Sequence, residues 1–287
     1  MKFRTEIGSI ESSFKIDHSQ RIILLGSCFA DNIGERLEHD GFQAVHNPMG
    51  PLYNPLSIAE VGLGPGSLVY CEHEGIWHCL SFANRYQDSD IDRLKERVAT
   101  EFLQMKKQWE EADVRIISLG TDHVYFFPQA DSAIGNCHKL PARLFEEEIL
   151  TVEESQEYIT DIFNKCRVPS EESDKSDNVS KCQIATLSPV RYPSYGLVES
   201  SLSKARLRIA LENSRAKLGF DYFPAFEILN DDLRDYRFYA DDLRHPSSMA
   251  VDYIYRHFAD TYFTDITKEE ALRRRKEWLR SQHRPIL

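Results

Sequence analysis

The chain has 287 residues, 41% of them hydrophobic and 28% charged, which is enough to bury one large α/β core or two small ones. A formal net charge of -11 argues against a nucleic-acid-binding protein, because such proteins concentrate positive charge for phosphate contacts. Met1 to Lys15 contain charges and no apolar core of signal-peptide length, and no later run approaches a membrane span. We therefore expect a cytoplasmic protein without a membrane anchor.

The first distinctive segment is a predicted strand-to-helix turn at Gly26-Ser27-Cys28. Four consecutive aliphatic residues, Ile22 to Leu25, predict a buried strand, and the spacing of four between Phe29, Ile33 and Leu37 predicts a helix. Ser27 would then lie at the carboxyl end of a strand and beside a helix N-terminus, where free N–H groups stabilise developing negative charge. Serine is also a preferred N-cap, so this segment by itself favours capping over catalysis.

Later segments alternate between strand and helix patterns. Apolar runs predict strands at 43–46, 114–119, 184–187 and 222–229, and helical spacing predicts helices at 91–111, 152–165 and 197–218. Capping boxes at Thr151-x-x-Glu154 and Thr267-x-x-Glu270 predict two helix starts. This alternation predicts an α/β fold with a mostly parallel sheet covered on both faces.

The segment 169–180 is rich in Ser, Glu and Asp, and it predicts a flexible surface loop rather than a linker between domains. We therefore expect one domain over 1–287, ending in helices at 247–283.

The six cysteines are expected to be reduced thiols, since no export signal is found. Cys71, His73, His78 and Cys79 flank a predicted hairpin turn at Glu74-Gly75 and suggest a zinc site. However, strand alternation points His78 and Cys79 to opposite faces, so the sequence favours a hairpin whose four side chains bind no metal. No metal or organic cofactor is expected.

An Asp-x-x-His motif stands near the other end of the chain, at Asp242 and His245. Helical spacing begins at Ala250, so His245 lies in the loop just before a helix. In a tight turn Asp242 can accept the Nδ1–H of the His245 ring, which leaves Nε2 free to take a proton. Because the carboxyl-end loops of an open α/β sheet converge on one crevice, Ser27 and His245 could meet there. The same spacing is also common in surface turns and caps.

These segments together resemble the GSCFA family, whose name is the signature found here as Gly26-Ser27-Cys28-Phe29-Ala30. That family belongs to the SGNH (GDSL-like) hydrolase group. The similarity covers most of the chain, through the blocks 47–55, 136–139, 188–191, 203–206, 223–227 and 242–247. It implies a flavodoxin-like three-layer α/β/α sandwich with about five strands, and hydrolysis of esters, often of acyl groups on carbohydrates or lipids. It also implies that Ser27 is the nucleophile, His245 the general base and Asp242 the residue that orients His245.

The resemblance further implies an oxyanion hole made of the Ser27 N–H with a glycine and an asparagine from two intermediate blocks. Gly50 is the candidate glycine, and a turn glycine between Pro48 and Pro51 is the alternative. The usual Gly-x-Asn reads Gly120-Thr121-Asp122 here, and a carboxylate there would repel an oxyanion unless it were protonated or turned away. Thr121 or Asn136 could supply the missing donor.

Several other residues compete for roles. Cys28 is a rival nucleophile at the helix N-terminus, but if Ser27 faces the crevice its neighbour points elsewhere. Arg191 follows the fourth predicted strand and could bind an anionic group of the substrate, or form a surface ion pair instead. His123 and His138 are expected to be structural or to line the substrate site.

The sequence therefore predicts a serine esterase or related acyl hydrolase that acts on a small-molecule or carbohydrate ester through an acyl-enzyme. A non-catalytic protein that binds a sugar or acyl ligand on the same fold is the rival hypothesis. Acyl transfer to an acceptor other than water would use the same residues.

Overall fold

The computed structural model describes residues 4–64, 68–164 and 182–282, so the loop predicted at 169–180 lies outside the described residues. The strands are β1 (Arg21–Gly26), β2 (Gln43–His46), β3 (Tyr70–His73), β4 (Ile76–Cys79), β5 (Gln87–Asp88), β6 (Val114–Leu119), β7 (His123–Phe127), β8 (Ser132–Ile134), β9 (Glu146–Ile149), β10 (Cys182–Leu187) and β11 (Asp221–Phe223). The helices are α1 (Cys28–His39), α2 (Ile91–Glu111), α3 (Val152–Asn164), α4 (Gly196–Leu218), the short α5 (Ala225–Glu227), α6 (Ser248–Tyr262) and α7 (Asp265–Gln282).

The central sheet contains five parallel strands in the order β11-β10-β6-β1-β2. When these five strands alone are counted along the chain, their order is the 2-1-3-4-5 of flavodoxin-like folds. In such a sheet the strand order reverses beside the first strand, and ligands bind in the crevice at the carboxyl ends there. The predicted α/β fold and its mostly parallel sheet are confirmed.

Both faces of the sheet are buried, which explains the unbroken aliphatic run of β1. Ile23 and Leu25 pack into one core with residues of α2, α3 and α4, whereas Ile22 and Leu24 pack into the other with residues of α1 and α6. A strand covered on both faces has no polar side to show, so it reads as a continuous hydrophobic run. The sheet and its two helical layers form the expected three-layer sandwich.

Two small antiparallel sheets accompany the central one: β3-β4-β5 and β8-β7-β9. The predicted hairpin at Glu74-Gly75 is confirmed as the turn between β3 and β4. The β7–β9 sheet was not predicted, because its strands are short and β9 carries Glu146, Glu147 and Glu148 on an exposed edge.

Two local predictions are wrong. The strand predicted at 222–229 ends at Phe223, and after Pro224 the chain forms α5 and a π-helical turn at Ile228–Leu233. A short apolar run cannot by itself distinguish a strand from a buried helix, and proline lacks the N–H that a longer strand would need. The helix start predicted at Thr267 is also displaced: Thr264 Oγ1 accepts the N–H of Thr267 at 3.2 Å, and α7 begins at Asp265.

The capping box at Thr151 is confirmed. Thr151 Oγ1 accepts the Glu154 N–H at 3.1 Å, and Glu154 Oε2 accepts the Thr151 N–H at 2.8 Å, which satisfies two helix N–H groups reciprocally. In the described part of the chain, no helix combines the length and the apolar character that crossing a bilayer requires.

Candidate active site

Ser27 lies between the end of β1 and the start of α1, buried to 2% exposure. Its Oγ caps α1 by accepting the Phe29 N–H at 3.2 Å, so the predicted capping role is present. The same Oγ shares a 2.9 Å hydrogen bond with the hydroxyl of Ser118 on β6. The hydroxyl of Ser27 therefore points inward, toward the neighbouring strand.

The turn before Ser27 requires glycine. Gly26 has a φ of 135°, and a Cβ built there would lie 2.1 Å from the carbonyl oxygen of Ser118. Only a residue without a side chain lets β1 and β6 approach so closely at this point.

Asn47, which follows β2, fixes the peptide that carries Ser27. Its Oδ1 accepts the Gly26 N–H at 2.9 Å, and its Nδ2 donates to the Ser27 carbonyl at 3.2 Å. Asn47 itself has a φ of 37°, a left-handed conformation that asparagine tolerates better than most residues. Asn47 was not predicted to have a role beyond its place in the 47–55 block, and its two contacts make it a positioning residue for the candidate nucleophile.

Asp242 and His245 form a hydrogen-bonded pair in the turn before α6. Asp242 Oδ2 lies 2.6 Å from His245 Nδ1, and Oδ1 accepts the backbone N–H groups of His245 and Arg244 at 3.0 and 2.9 Å. These bonds, above all the one to the imidazole, hold the pKa of the Asp242 carboxyl well below its usual range. The pair is about half exposed, and no protein group in the described residues bonds to His245 Nε2.

Ser27 and His245 are not joined by a hydrogen bond within residues 4–64, 68–164 and 182–282, since Ser27 Oγ bonds to Ser118 and Phe29 instead. The turn of Asp242 and His245 is hydrogen-bonded to the loop after β10, through the Arg191 N–H and the Arg244 carbonyl at 3.0 Å. Asp242 and His245 are thus attached to a loop at the carboxyl ends of the parallel strands, the same end of the sheet at which Ser27 follows β1.

Two of the expected oxyanion donors are already used in the fold. The Ser27 N–H donates to the Ser118 carbonyl at 2.8 Å, and the Gly50 N–H donates to the Asn47 carbonyl at 2.7 Å. Gly50 has a φ of 94°, and a Cβ there would lie 2.3 Å from that of Ala83. This environment matches the alternative that Gly50 is a turn glycine.

The carboxylate of Asp122 is bound to a residue of α4. It is fully buried and forms an ion pair with Arg206 on α4, while its N–H donates to the Ser203 hydroxyl at 3.2 Å. Thr121 Oγ1 lies 3.3 Å from the same hydroxyl and accepts the His123 N–H at 3.1 Å. The threonine hydroxyl is therefore occupied by the fold as well.

Asn136 has one donor group that the fold leaves free. Its backbone N–H donates to the Leu80 carbonyl at 2.9 Å, and its Oδ1 accepts the backbone N–H of His138 at 2.8 Å. Its Nδ2 donates to no protein acceptor among the residues that the structure describes. His138 anchors this loop through Nε2, which lies 2.9 Å from the Phe82 carbonyl.

Cys28 is the first residue of α1, and its thiol lies 3.5 Å from the Tyr53 hydroxyl. Burial raises the pKa of this thiol, which disfavours the thiolate that a nucleophilic cysteine needs. The backbone N–H of Cys28, in contrast, bonds to no oxygen of the described residues.

A family model for the GSCFA family matches residues 21–258, which include Ser27 and the pair Asp242 and His245. The chain belongs to the GSCFA family. This family is related to the SGNH hydrolases, so the resemblance deduced from the sequence is confirmed. A search of curated proteins finds none that matches the chain.

A buried lysine of this GSCFA chain lies at the carboxyl ends of two central strands. Lys204 Nζ donates to the carbonyls of Gly120 and Ser188, at 2.6 and 2.8 Å, and so links the ends of β6 and β10. Burial lowers the pKa of Lys204 to about 7. Lys204 was not predicted to have a role. It is in register with the buried positions Leu207 and Leu211, and a charged residue on a buried helix face is the signal that could have identified it.

Arg191 has no ion pair among the described residues, so the predicted alternative of a surface ion pair is not observed. His123 is buried, bonds to Glu147 Oε1 through Nδ1 at 2.7 Å and stacks on Tyr195 with ring centroids 3.6 Å apart. In the described ranges, no group of three His, Cys, Asp or Glu side chains is arranged to hold a metal. In the hairpin considered for zinc, His78 Nδ1 lies instead 3.3 Å from His138 Nδ1.

Proposed function

We propose that this GSCFA protein is a serine esterase that hydrolyses O-acyl esters, acetyl esters included, with Ser27 as nucleophile, His245 as general base and Asp242 as the residue that orients the base. The observation that supports the proposal is the Asp242–His245 pair, in which Nδ1 is bonded and Nε2 has no partner among the described residues. Ser27 follows β1 at the carboxyl ends of the same parallel strands, and both segments lie within the family match. A neutral imidazole with this tautomer can accept a proton from a serine.

The reaction begins with a rotation of the Ser27 side chain. Its Oγ must leave Ser118 and the Phe29 N–H and turn outward, a change between staggered rotamers. Apo active sites are often loosely aligned, and their hydrogen bonds tighten when substrate binds. The Asn47 amide holds the Ser27 peptide while the side chain turns.

Attack of Ser27 Oγ on the acyl carbon transfers its proton to His245 Nε2. Asp242 keeps the Nδ1–H of the ring in place and stabilises the imidazolium that forms. The imidazolium then donates its proton to the leaving alcohol as the ester C–O bond breaks. A water molecule, deprotonated by His245, attacks the acyl-enzyme, and the acid is released with Ser27 regenerated.

The negative charge on the acyl oxygen needs donors that the fold leaves free. We propose the N–H of Cys28 and the Nδ2 of Asn136 for this role, because the expected N–H groups of Ser27 and Gly50 are bonded to carbonyls. Thr121 remains a neighbour of the site through Ser203. The Cys28 N–H lies at the N-terminus of α1, where the helix dipole also favours negative charge.

Labelling with a biotinylated fluorophosphonate tests the proposal. We expect one adduct on Ser27, located by peptide mass spectrometry, and a loss of ester hydrolysis by about 10^4-fold or more in Ser27→Ala. Thr151→Ala is the matched control, since it also removes a helix cap, at a cost of about 1 kcal/mol, but keeps the nucleophile. An unlabelled Ser27, with short acyl esters cleaved equally by Ser27→Ala, would overturn the proposal.

The rival function is non-catalytic binding of a sugar or acyl ligand at the same edge. The observation in its favour is that Ser27 is 2% exposed and bonded inward, with the N–H groups of Ser27 and Gly50 already used. This hypothesis expects saturable binding of an acylated sugar that neither labels Ser27 nor releases acid, and calorimetry alongside the labelling experiment distinguishes the two functions.

A further inference from the structure

Arg191 is held in a way that leaves its charge free for a ligand. The guanidinium carbon lies 4.2 Å from the ring centroid of Tyr239 and 5.3 Å from that of Tyr236. No carboxylate of the described residues lies within 4.0 Å of its nitrogens. Guanidinium stacks on aromatic faces through its plane, which leaves the N–H groups at its edge available for a planar acceptor.

Arg206 and Arg208 on α4 both have acidic partners. Arg206 contacts both Asp122 and Glu199, and Arg208 pairs with Glu212 at 3.0 Å and with Glu227 at 3.3 Å. The Arg191 guanidinium, in contrast, lies against two tyrosine rings and has no acidic partner among the described residues.

The position of Arg191 connects it to the candidate base. Its N–H donates to the Arg244 carbonyl at 3.0 Å, one residue before His245. Tyr239, on which the guanidinium stacks, forms an antiparallel bridge with Pro246, and the Ala240 N–H donates to the His245 carbonyl at 2.8 Å. Arg191, Tyr239 and the Asp242–His245 turn are thus parts of one hydrogen-bonded loop cluster.

We propose that Arg191 binds a carboxylate on the substrate, away from the scissile ester, so that the preferred substrates are esters that carry a negative charge. This inference rests on the proposed esterase function. One guanidinium with two parallel N–H donors matches a single carboxylate. The neighbouring Asp241 and Asp242 and the net charge of -11 oppose anions in general, so a substrate of this class needs a dedicated cation at the site.

The Arg191 side chain is restricted before any ligand binds. A free arginine loses much side-chain freedom on binding a ligand, but here two tyrosine rings already limit the positions of the guanidinium. A charge-assisted hydrogen bond that forms without this cost changes affinity by about 10- to 100-fold.

The test compares two 4-nitrophenyl esters of similar size, the anionic hemisuccinate and the neutral butyrate. In Arg191→Gln we expect kcat/KM for the hemisuccinate to fall about 10- to 100-fold more than for the butyrate, mainly through KM. Arg191→Lys keeps the positive charge but not the two parallel N–H donors of a guanidinium, and we expect a smaller fall in kcat/KM for the hemisuccinate than in Arg191→Gln. Arg237→Gln is the matched control, because Arg237 is exposed and already paired with Asp235.

A second readout separates this inference from the proposed function. Calorimetry on Ser27→Ala with monomethyl succinate and with the neutral dimethyl succinate measures binding without turnover. Tighter binding of the monoanion that disappears in Ser27→Ala/Arg191→Gln supports the carboxylate site, whether or not Ser27 is a nucleophile. Equal binding of the two compounds, or an equal kcat/KM loss on both 4-nitrophenyl esters, overturns it.

Discussion

The N–H of Cys28 is the single donor on which the proposed chemistry most depends. The Ser27 N–H, which the family resemblance favoured, donates to the Ser118 carbonyl as part of the contact between β1 and β6. The next N–H along the chain is free of oxygen partners in the described residues and begins α1. The chemical interest of Cys28 therefore lies in its backbone, because burial raises the pKa of its thiol.

Cys28→Pro removes this N–H with little expected damage to the fold. Proline is favourable at the first position of a helix, and the residue before it must be extended, as Ser27 is with φ -68° and ψ 170°. We expect kcat for ester hydrolysis to fall about 100- to 1000-fold, as for other lost oxyanion donors. Cys28→Ala keeps the N–H and serves as the control in the same assay, and equal kcat values for the two variants would refute the assignment.

At the scale of secondary-structure elements, a buried histidine pair joins the β3–β4 hairpin to the loop of Asn136. His138 Nε2 faces a carbonyl and must carry a hydrogen, so neutral His138 accepts at Nδ1 and His78 donates to it. Burial lowers the pKa of both imidazoles, so folding favours their neutral forms.

This pair predicts a loss of stability in acid. Below pH about 6.5 the unfolded chain binds more protons on these histidines than the folded chain does, so the free energy of unfolding falls as the pH falls. Urea unfolding between pH 5 and 8 measures the slope. We expect a shallower slope in His78→Gln, which removes one of the two buried imidazoles. A His78→Gln slope as steep as that of the parent chain would contradict the prediction.

Elements with a regular burial pattern, and contacts between nearby residues, were predictable from the sequence. Strand β6 and helix α2 were predicted at their observed bounds, because burial on both sheet faces or on one helix face leaves a clear pattern. The edge strand β2 was also predicted at its observed bounds, although only Ala44 of its four residues is buried. The Asp242–His245 contact was predictable because it spans three residues. The Asn47 and Ser118 contacts to Ser27 span 20 and 91 residues, and they depend on a left-handed Asn47 and a close strand approach that no local pattern specifies.

Across the whole molecule, the last helix is the main element that lies beyond the family match. The match ends at residue 258, whereas α7 extends over Asp265–Gln282. Arg275 on α7 reaches Asp40, directly after α1, with Nε 2.5 Å from Oδ1, and the Tyr255 hydroxyl donates to Oδ2 at 2.8 Å. Asp40 is 4% exposed, so its charge depends on this partner.

Arg275→Ala leaves Asp40 buried without its ion pair, and we expect the free energy of unfolding to fall by about 1 to 3 kcal/mol, less than for a fully buried pair since Arg275 is partly exposed. Urea denaturation measures the loss. The neighbouring Arg273→Ala breaks only exposed pairs with Glu270 and Glu277, for which we expect at most about 1 kcal/mol. Losses of equal size would show that Asp40 needs no partner.

The inward hydroxyl of Ser27 scales the rate of any covalent chemistry proposed for this serine. A reagent or an ester can react only with the outward rotamer, so the Ser118 hydrogen bond opens before each attack. Rotamer changes are much faster than ester hydrolysis, so this opening is a rapid equilibrium that precedes the attack. Reagents of very different intrinsic reactivity are then slowed by one common factor, the fraction of time that the hydroxyl spends outward, and their relative rates stay unchanged.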